Sequence, residues 1–242
     1  MRFLSPLIDL LLPPQCPACR ALVGENGTLC PDCWKSMTFL APPFCQRCGQ
    51  PFAFEAEGDG SGLECAPCLD SPPPWRQARA VLRYDEASKG LVLALKHADR
   101  TDLAPALARW MKRAGDDLLS ECDLIAPVPL HWMRLFTRRF NQSALLALAL
   151  GNLSGLPVRG DLMVRTRRTQ SQGHLHRSER FGNVKGAFAV RPRHAPKIQG
   201  KSVLLIDDVL TSGATAAECA RTLLKAGAAQ VNVLCVARAV LD

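Results

Sequence analysis

Val203-Leu204-Leu205-Ile206-Asp207-Asp208-Val209-Leu210-Thr211-Ser212-Gly213-Ala214-Thr215 sets the reading of the whole chain. Its four leading apolar residues have the pattern of a parallel strand buried on both faces. Two adjacent carboxylates follow at the exposed end, and a short loop of Thr, Ser and Gly then turns into a helix beginning near Ala214. Backbone N–H groups at that helix start, with the hydroxyls of Thr211, Ser212 and Thr215, form a cradle for a phosphate. Gly213 lets the backbone come close to the anion. Asp207 and Asp208 are repelled by a phosphate, so they belong to another part of the same ligand. Ribose hydroxyls, which donate to carboxylates, fit that role. A plain capped turn before a helix requires neither the paired acids nor the hydroxyl-rich loop.

Outward from this loop, strands and helices alternate. Strands are expected over 80–84, 124–128, 202–206 and 231–237, and helices over 88–96, 103–114, 141–153 and 214–226. That alternation predicts an α/β fold, a doubly wound and mostly parallel sheet with its ligand at the carboxyl ends of the strands. The pattern starts after Asp70-Ser71-Pro72-Pro73-Pro74-Trp75, a stiff stretch that separates two units. The expected boundaries are an N-terminal unit over 1–70, a linker over 71–78 and the sheet domain over 79–242.

Before that linker the chemistry is different. Eight of the eleven cysteines precede residue 70, all in Cys-x-x-Cys pairs: Cys16/Cys19, Cys30/Cys33, Cys45/Cys48 and Cys65/Cys68. Each such turn points two thiolates at one metal, and a second turn closes a tetrahedron. Soft thiolates favour zinc over magnesium or calcium. So few large apolar residues lie between the pairs that the segment needs a staple to fold. Nothing marks the chain as secreted, so disulfides are disfavoured. An iron–sulfur cluster fits the spacing less well, and four redox pairs in one small unit serve no exchange reaction. Two structural zinc sites are expected, paired in sequence order, with an interleaved cross-brace as the alternative. Cys122, Cys219 and Cys235 sit among apolar neighbours and read as core.

The net charge of +8 is concentrated. Residues 165–201 hold ten Lys or Arg against one acid, Glu179, which points to an anionic partner or to a solvated basic loop. No apolar run reaches the roughly 18–20 residues that span a bilayer. The apolar start, broken by Pro6 and Asp9, reads as a short helix packed on its own protein, with a membrane-surface or partner contact as the other reading. The expected address is cytoplasmic, with a peripheral place at the inner membrane face as its variant.

The loop at 203–215 resembles the phosphoribosyl pyrophosphate (PRPP) signature of type I phosphoribosyltransferases. Two further stretches narrow the likeness. One is Val128-Pro129-Leu130-His131 with Arg138-Arg139-Phe140-Asn141-Gln142. The other runs from Arg165-Thr166-Arg167-Arg168-Thr169-Gln170-Ser171-Gln172 through Arg177 and Arg180-Phe181-Gly182-Asn183 to Gly186-Ala187-Phe188. With the cysteine ribbons, this order resembles the ComF family of competence proteins over nearly the whole chain. Arg139 stands where that family usually has Gly.

The resemblance implies a small N-terminal double zinc ribbon followed by a type I phosphoribosyltransferase-like domain. It implies that Asp207 and Asp208 hold the ribose hydroxyls, that Thr211, Ser212, Gly213, Ala214 and Thr215 hold the 5′-phosphate, and that Lys96 lies near the pyrophosphate. It also implies magnesium entering with PRPP and a hood over the site, for which Arg165, Thr169, Gln172, Arg177, Arg180 and Asn183 are the candidates. Arg138, Arg139, Arg167, Arg168, Arg177 and Arg180 are the candidates for contacts with single-stranded DNA, by way of its phosphates. No residue reads as a general base or as a reader of a nucleobase edge, so the catalytic set is unknown. Two readings stand at this point. One is a PRPP-binding, DNA-handling competence protein, with competence-machinery proteins as further partners. The other is an active phosphoribosyltransferase with an unidentified acceptor.

Overall fold

The computed structural model describes residues 13–53, 62–97, 100–131, 133, 140–167, 169 and 177–240. The expected N-terminal helix lies outside them. Among the described residues the core is a four-stranded sheet: β1 (Ala78–Arg83), β2 (Leu124–Pro127), β5 (Ser202–Leu210) and β6 (Gln230–Arg238). Their order is β1-β6-β5-β2, and every pair is parallel. A separate antiparallel ribbon pairs β3 (Met163–Arg165) with β4 (Phe188–Val190).

Helices cover both faces, which is why the middle of β5, Val203–Ile206, is apolar at every position. On one face Val203, Leu205 and Val233 pack against Ala216, Ala220 and Leu223 of α8 (Ala214–Lys225). On the other, Leu204, Ile206 and Leu234 meet α3 (Glu86–His97), α4 (Leu103–Ala114) and α6 (Gln142–Ser154). A short α5 (Asp116–Glu121), not foreseen in the sequence, fills the turn into β2. Cys219 and Cys235 lie in the core, as expected. Cys122 is buried too, but Ser202 and Asn232 side chains donate to its sulfur, so its surroundings are less apolar than expected.

Strand β5 runs past the expected end at Ile206 to Leu210. Its neighbour β2 stops at Pro127, opposite Ile206, whereas β6 accompanies it to Leu210. Asp207 and Asp208 therefore sit in a strand that has lost its partner on one side only.

The N-terminal unit leans on the edge strand β1. Phe39 bridges to Leu82 in antiparallel fashion, the Leu40 N–H donates to the Val81 carbonyl at 2.9 Å, and Arg83 N–H donates to Thr38 at 2.9 Å. A sheet edge that would otherwise present free backbone groups is thereby closed. Buried Arg79 of β1 adds bonds to the Gln46 side chain (2.8 Å) and to Asp117 (2.9 Å). Residues 71–78, expected as a linker, contribute Trp75 to the core and Ala78 to β1.

Candidate functional site

Two short helices, α1 (Pro31–Ser36) and α2 (Ala66–Asp70), each start directly after a cysteine, with Pro in the first turn. Pro is suited to that position because its missing N–H is not needed there. The helices turn Cys30/Cys33 and Cys65/Cys68 back toward the preceding knuckles. The eight sulfurs gather in two groups, Cys16/Cys19/Cys30/Cys33 and Cys45/Cys48/Cys65/Cys68, each with all ligand atoms within 4.8 Å of one another. The grouping follows sequence order rather than a cross-brace. Sulfur separations such as 3.6 Å between Cys48 and Cys65 are far beyond a disulfide bond. In the second group the Cys65 N–H donates to the Cys45 sulfur at 3.3 Å. The side-chain hydrogen bond from Cys48, with this amide, pulls the Cys45 thiol down to about 4. Four convergent sulfurs, one of them already favoured as thiolate, suit Zn²⁺ in a closed structural site, with no position left for a substrate.

At the end of β5 the two carboxylates are held by α6. Asn141 caps that helix, its side chain accepting from the Ser143 N–H at 3.0 Å and donating to the Val128 carbonyl at 3.0 Å. The next two side chains reach the acids: Ser143 Oγ donates to Asp207 Oδ1 at 3.1 Å and Gln142 Nε2 donates to Asp208 Oδ2 at 2.8 Å. Lys96 Nζ, at the end of α3, lies 3.2 Å from the same Asp208 oxygen. Burial pushes the Asp207 carboxyl up to about 7, reinforced by the neighbouring Asp208 charge; the Asp208 N–H, Lys96 and Ser143 oppose this only in part.

The loop beyond is shaped for an anion. Gly213 stands at φ +78° at the start of α8, a left-handed conformation natural to Gly, and an added Cβ would come within 2.8 Å of the Trp75 ring. Ser212 Oγ is buried and has no hydrogen-bond partner among the described residues. Such a hydroxyl is an open position for a ligand oxygen. Trp75 Nε1 in turn donates to the Arg47 carbonyl, inside the second cysteine ribbon, at 2.8 Å. One indole thus joins ribbon and loop.

The expected hood residues divide. Arg165 and Thr169 are buried and hydrogen-bonded to each other, and Arg165 lies over the Phe188 ring at 5.2 Å from its centre. They brace the base of the β3–β4 ribbon. Arg167, a candidate for DNA contact, donates to the Asn183 carbonyl (3.1 Å) and the Lys185 carbonyl (2.9 Å) at the end of α7 (Arg177–Val184). A guanidinium on carbonyls at a helix C-terminus acts as a cap. Arg180 does reach the loop, sharing a cavity wall with Thr211, Ser212 and Gly213. Arg138, Arg139, Arg168 and Gln172 lie outside the described residues, as does the side chain of Arg177. Further along the basic span, Arg193 and His194 meet Asp161, and Lys201 meets Asp123 at 3.1 Å. Part of the positive charge is therefore structural.

Ser143, Trp75 and Arg238 carried no role in the sequence reading, and Gln142 was only part of a quoted motif. The signal available for two of them was the Asn-Gln-Ser at the start of an Ala/Leu-rich helix, the grammar of a cap whose next side chains face inward.

The sequence profile of the double zinc ribbon domain matches residues 7–77, and that of the phosphoribosyl transferase domain matches residues 153–240. The chain is 35% identical over 236 residues to DNA utilization protein YhgH of Salmonella typhimurium, covering 95% of this chain and 99% of that one. It is 34% identical over 239 residues to DNA utilization protein YhgH of Escherichia coli, with the same coverage of 95% and 99%. Competence protein F of Haemophilus influenzae is 30% identical over 234 residues, covering 93% and 97%. No helix among the described residues is long and apolar enough to cross a membrane.

Proposed function

This chain belongs to the ComF family, and we propose that it binds PRPP, or a closely related phosphoribose ligand, with magnesium, and handles single-stranded DNA during competence or DNA utilisation. The observation that carries the first half is the fixed pair Asp207–Asp208, oriented by Ser143, Gln142 and Lys96 directly before the Thr211–Thr215 loop. The pair accepts the two ribose hydroxyls, and the helix start with Ser212 Oγ donates to the 5′-phosphate. Asp208 is already matched by Lys96 and Gln142, which favours a metal that arrives on the pyrophosphate over one resident between the acids. Magnesium there supplies charge neutralisation of the phosphates.

Calorimetry with PRPP and magnesium tests this reading, and absence of binding overturns it. The pH dependence is a sharper signature. Asp207 accepts a hydroxyl hydrogen most strongly when ionised, and burial pushes its carboxyl up to about 7. Affinity is therefore expected to rise by up to about tenfold from roughly pH 6 to pH 8. Just below neutral pH binding should release part of a proton beyond what the ligand phosphates contribute. Titration in buffers of different ionisation enthalpy counts that proton.

For DNA, the support is the surplus of cations over 165–201 and the DNA-utilisation and competence names of the relatives. Affinity for a single strand is expected to fall with salt along a log–log slope of about −0.7 per phosphate contacted. Replacing Arg138, Arg139, Arg168 and Arg177 with Ala should flatten that slope. An unchanged slope in that variant removes these residues from the contact.

A further inference from the structure

A cavity of about 680 Å³ lies between the second cysteine ribbon, the Pro72–Pro74 stretch and the phosphate loop. Thr211, Ser212 and Gly213 form one wall, and Tyr84, Arg238 and Ala239 place it over the carboxyl ends of β1 and β6. Asp207 and Asp208 are instead engaged from α6, on the side of β5 where β2 has ended. The loop therefore stands between the two. A ligand with its 5′-phosphate in the loop and its sugar on the aspartate side directs any substituent on that phosphate away from the aspartates, toward the cavity.

The chemistry of the walls fits such a substituent. Three prolines with Trp75, Tyr84 and Phe181 offer planar apolar surface, and Arg180, Arg221 and Arg238 supply cations with no carboxylate among the described lining residues. The volume suits a nucleoside. Arg238 is the telling residue. It is only 7% exposed, yet its Nε has no hydrogen-bond partner among the described residues, and one Nη donates to Cys48 Sγ at 3.3 Å. A buried guanidinium N–H left open is costly unless an acceptor arrives. Ser212, whose buried Oγ likewise has no hydrogen-bond partner among the described residues, lines the same cavity.

We infer that the phosphate loop accepts an internal phosphodiester of a single strand, with the nucleoside on its 5′ side seated in this cavity. The inference rests on the nucleic-acid half of the proposed function and locates one subsite of it. It makes the loop a shared site, taken either by a free phosphoribose or by a strand.

The dinucleoside monophosphate of thymidine and ribose 5-phosphate are the probes. The two should compete for the wild-type protein. Phe181→Ala removes a stacking surface, and Arg221→Ala removes a cation whose side chain is 45% exposed and, among the described residues, paired with Glu218 on its own helix. Each is expected to weaken dinucleoside binding by at least about fivefold and to leave ribose 5-phosphate affinity unchanged. Unchanged dinucleoside affinity in both variants, equal loss of both ligands, or lack of competition overturns the inference. A wild-type protein that binds ribose 5-phosphate but neither the dinucleoside nor oligothymidylate defeats it together with the DNA reading, leaving the phosphoribose reading intact. If oligothymidylate binds, responds to the arginine replacements above and ignores Phe181→Ala and Arg221→Ala, this subsite alone is wrong.

Discussion

Removing metal from the purified protein is expected to unfold the segment ahead of Trp75 while the parallel sheet remains largely folded. The reason is the size of the interior that the ribbon owns. Among the described residues of the second ribbon, the buried cluster consists of Cys45, Cys48 and Cys68, with Phe52 and Cys65 partly buried against it. Such a cluster cannot offset the conformational entropy of ordering the segment. A structural zinc contributes about 10–16 kcal/mol in small zinc domains, as much as the whole stability of an ordinary domain. Metal analysis should find close to two zinc ions per chain. Cys19→Ser or Cys48→Ser should lose one each and expose the segment to proteolysis. Iron with cluster absorbance, or a metal-free protein with a folded ribbon, sinks the assignment.

Asp207→Asn combined with Asp208→Asn is expected to lower PRPP affinity by two to four orders of magnitude. A hydrogen bond to a charged group contributes about 1.5–3 kcal/mol, and each carboxylate offers one to a ribose hydroxyl. The single change Asp207→Asn should at the same time stabilise the fold above neutral pH. The sign follows from the raised titration point. The folded-state value near 7 lies above the 3.8 typical of an Asp. Ionising the buried acid thus costs stability progressively as pH rises from about 4 toward 7, and the cost is fully present above 7. Asn removes it. Thermal melts at about pH 5 and pH 8 should show the variant gaining on wild type at the higher pH. Full PRPP affinity in the double variant ends the ribose role of the pair.

The features legible in the sequence were those encoded locally. The cysteine knuckles and the strand–loop–helix form of the 203–215 segment are each encoded within a short stretch, so spacing and residue type were sufficient. What escaped arises from contacts between remote segments. Ser143 and Gln142 meet the aspartates across 64 and 66 residues, and Arg238 reaches Cys48 across 190. No local pattern records such a meeting. The Pro-rich stretch read as a linker because prolines punctuate chains, but the neighbouring Trp75 needs burial and found it between ribbon and loop. The basic span was counted correctly as charge. Its partners, the carbonyls at the end of α7 for Arg167 and Asp161 for Arg193 and His194, were invisible until the chain was folded.

The bond from Trp75 to the Arg47 carbonyl, and the packing of that indole on Gly213, also bind two equilibria into one. If the loop takes phosphate as proposed, a ribbon ordered by its metal holds one of its walls, and the metal is expected to raise affinity for the anion. Thermodynamic reciprocity then requires the anion to raise affinity for the metal by the same factor. On the proposed function, a cell short of zinc loses the anion-binding form of this protein first where the nucleotide precursor is also scarce. Where the precursor is plentiful, the protein competes better for what zinc remains.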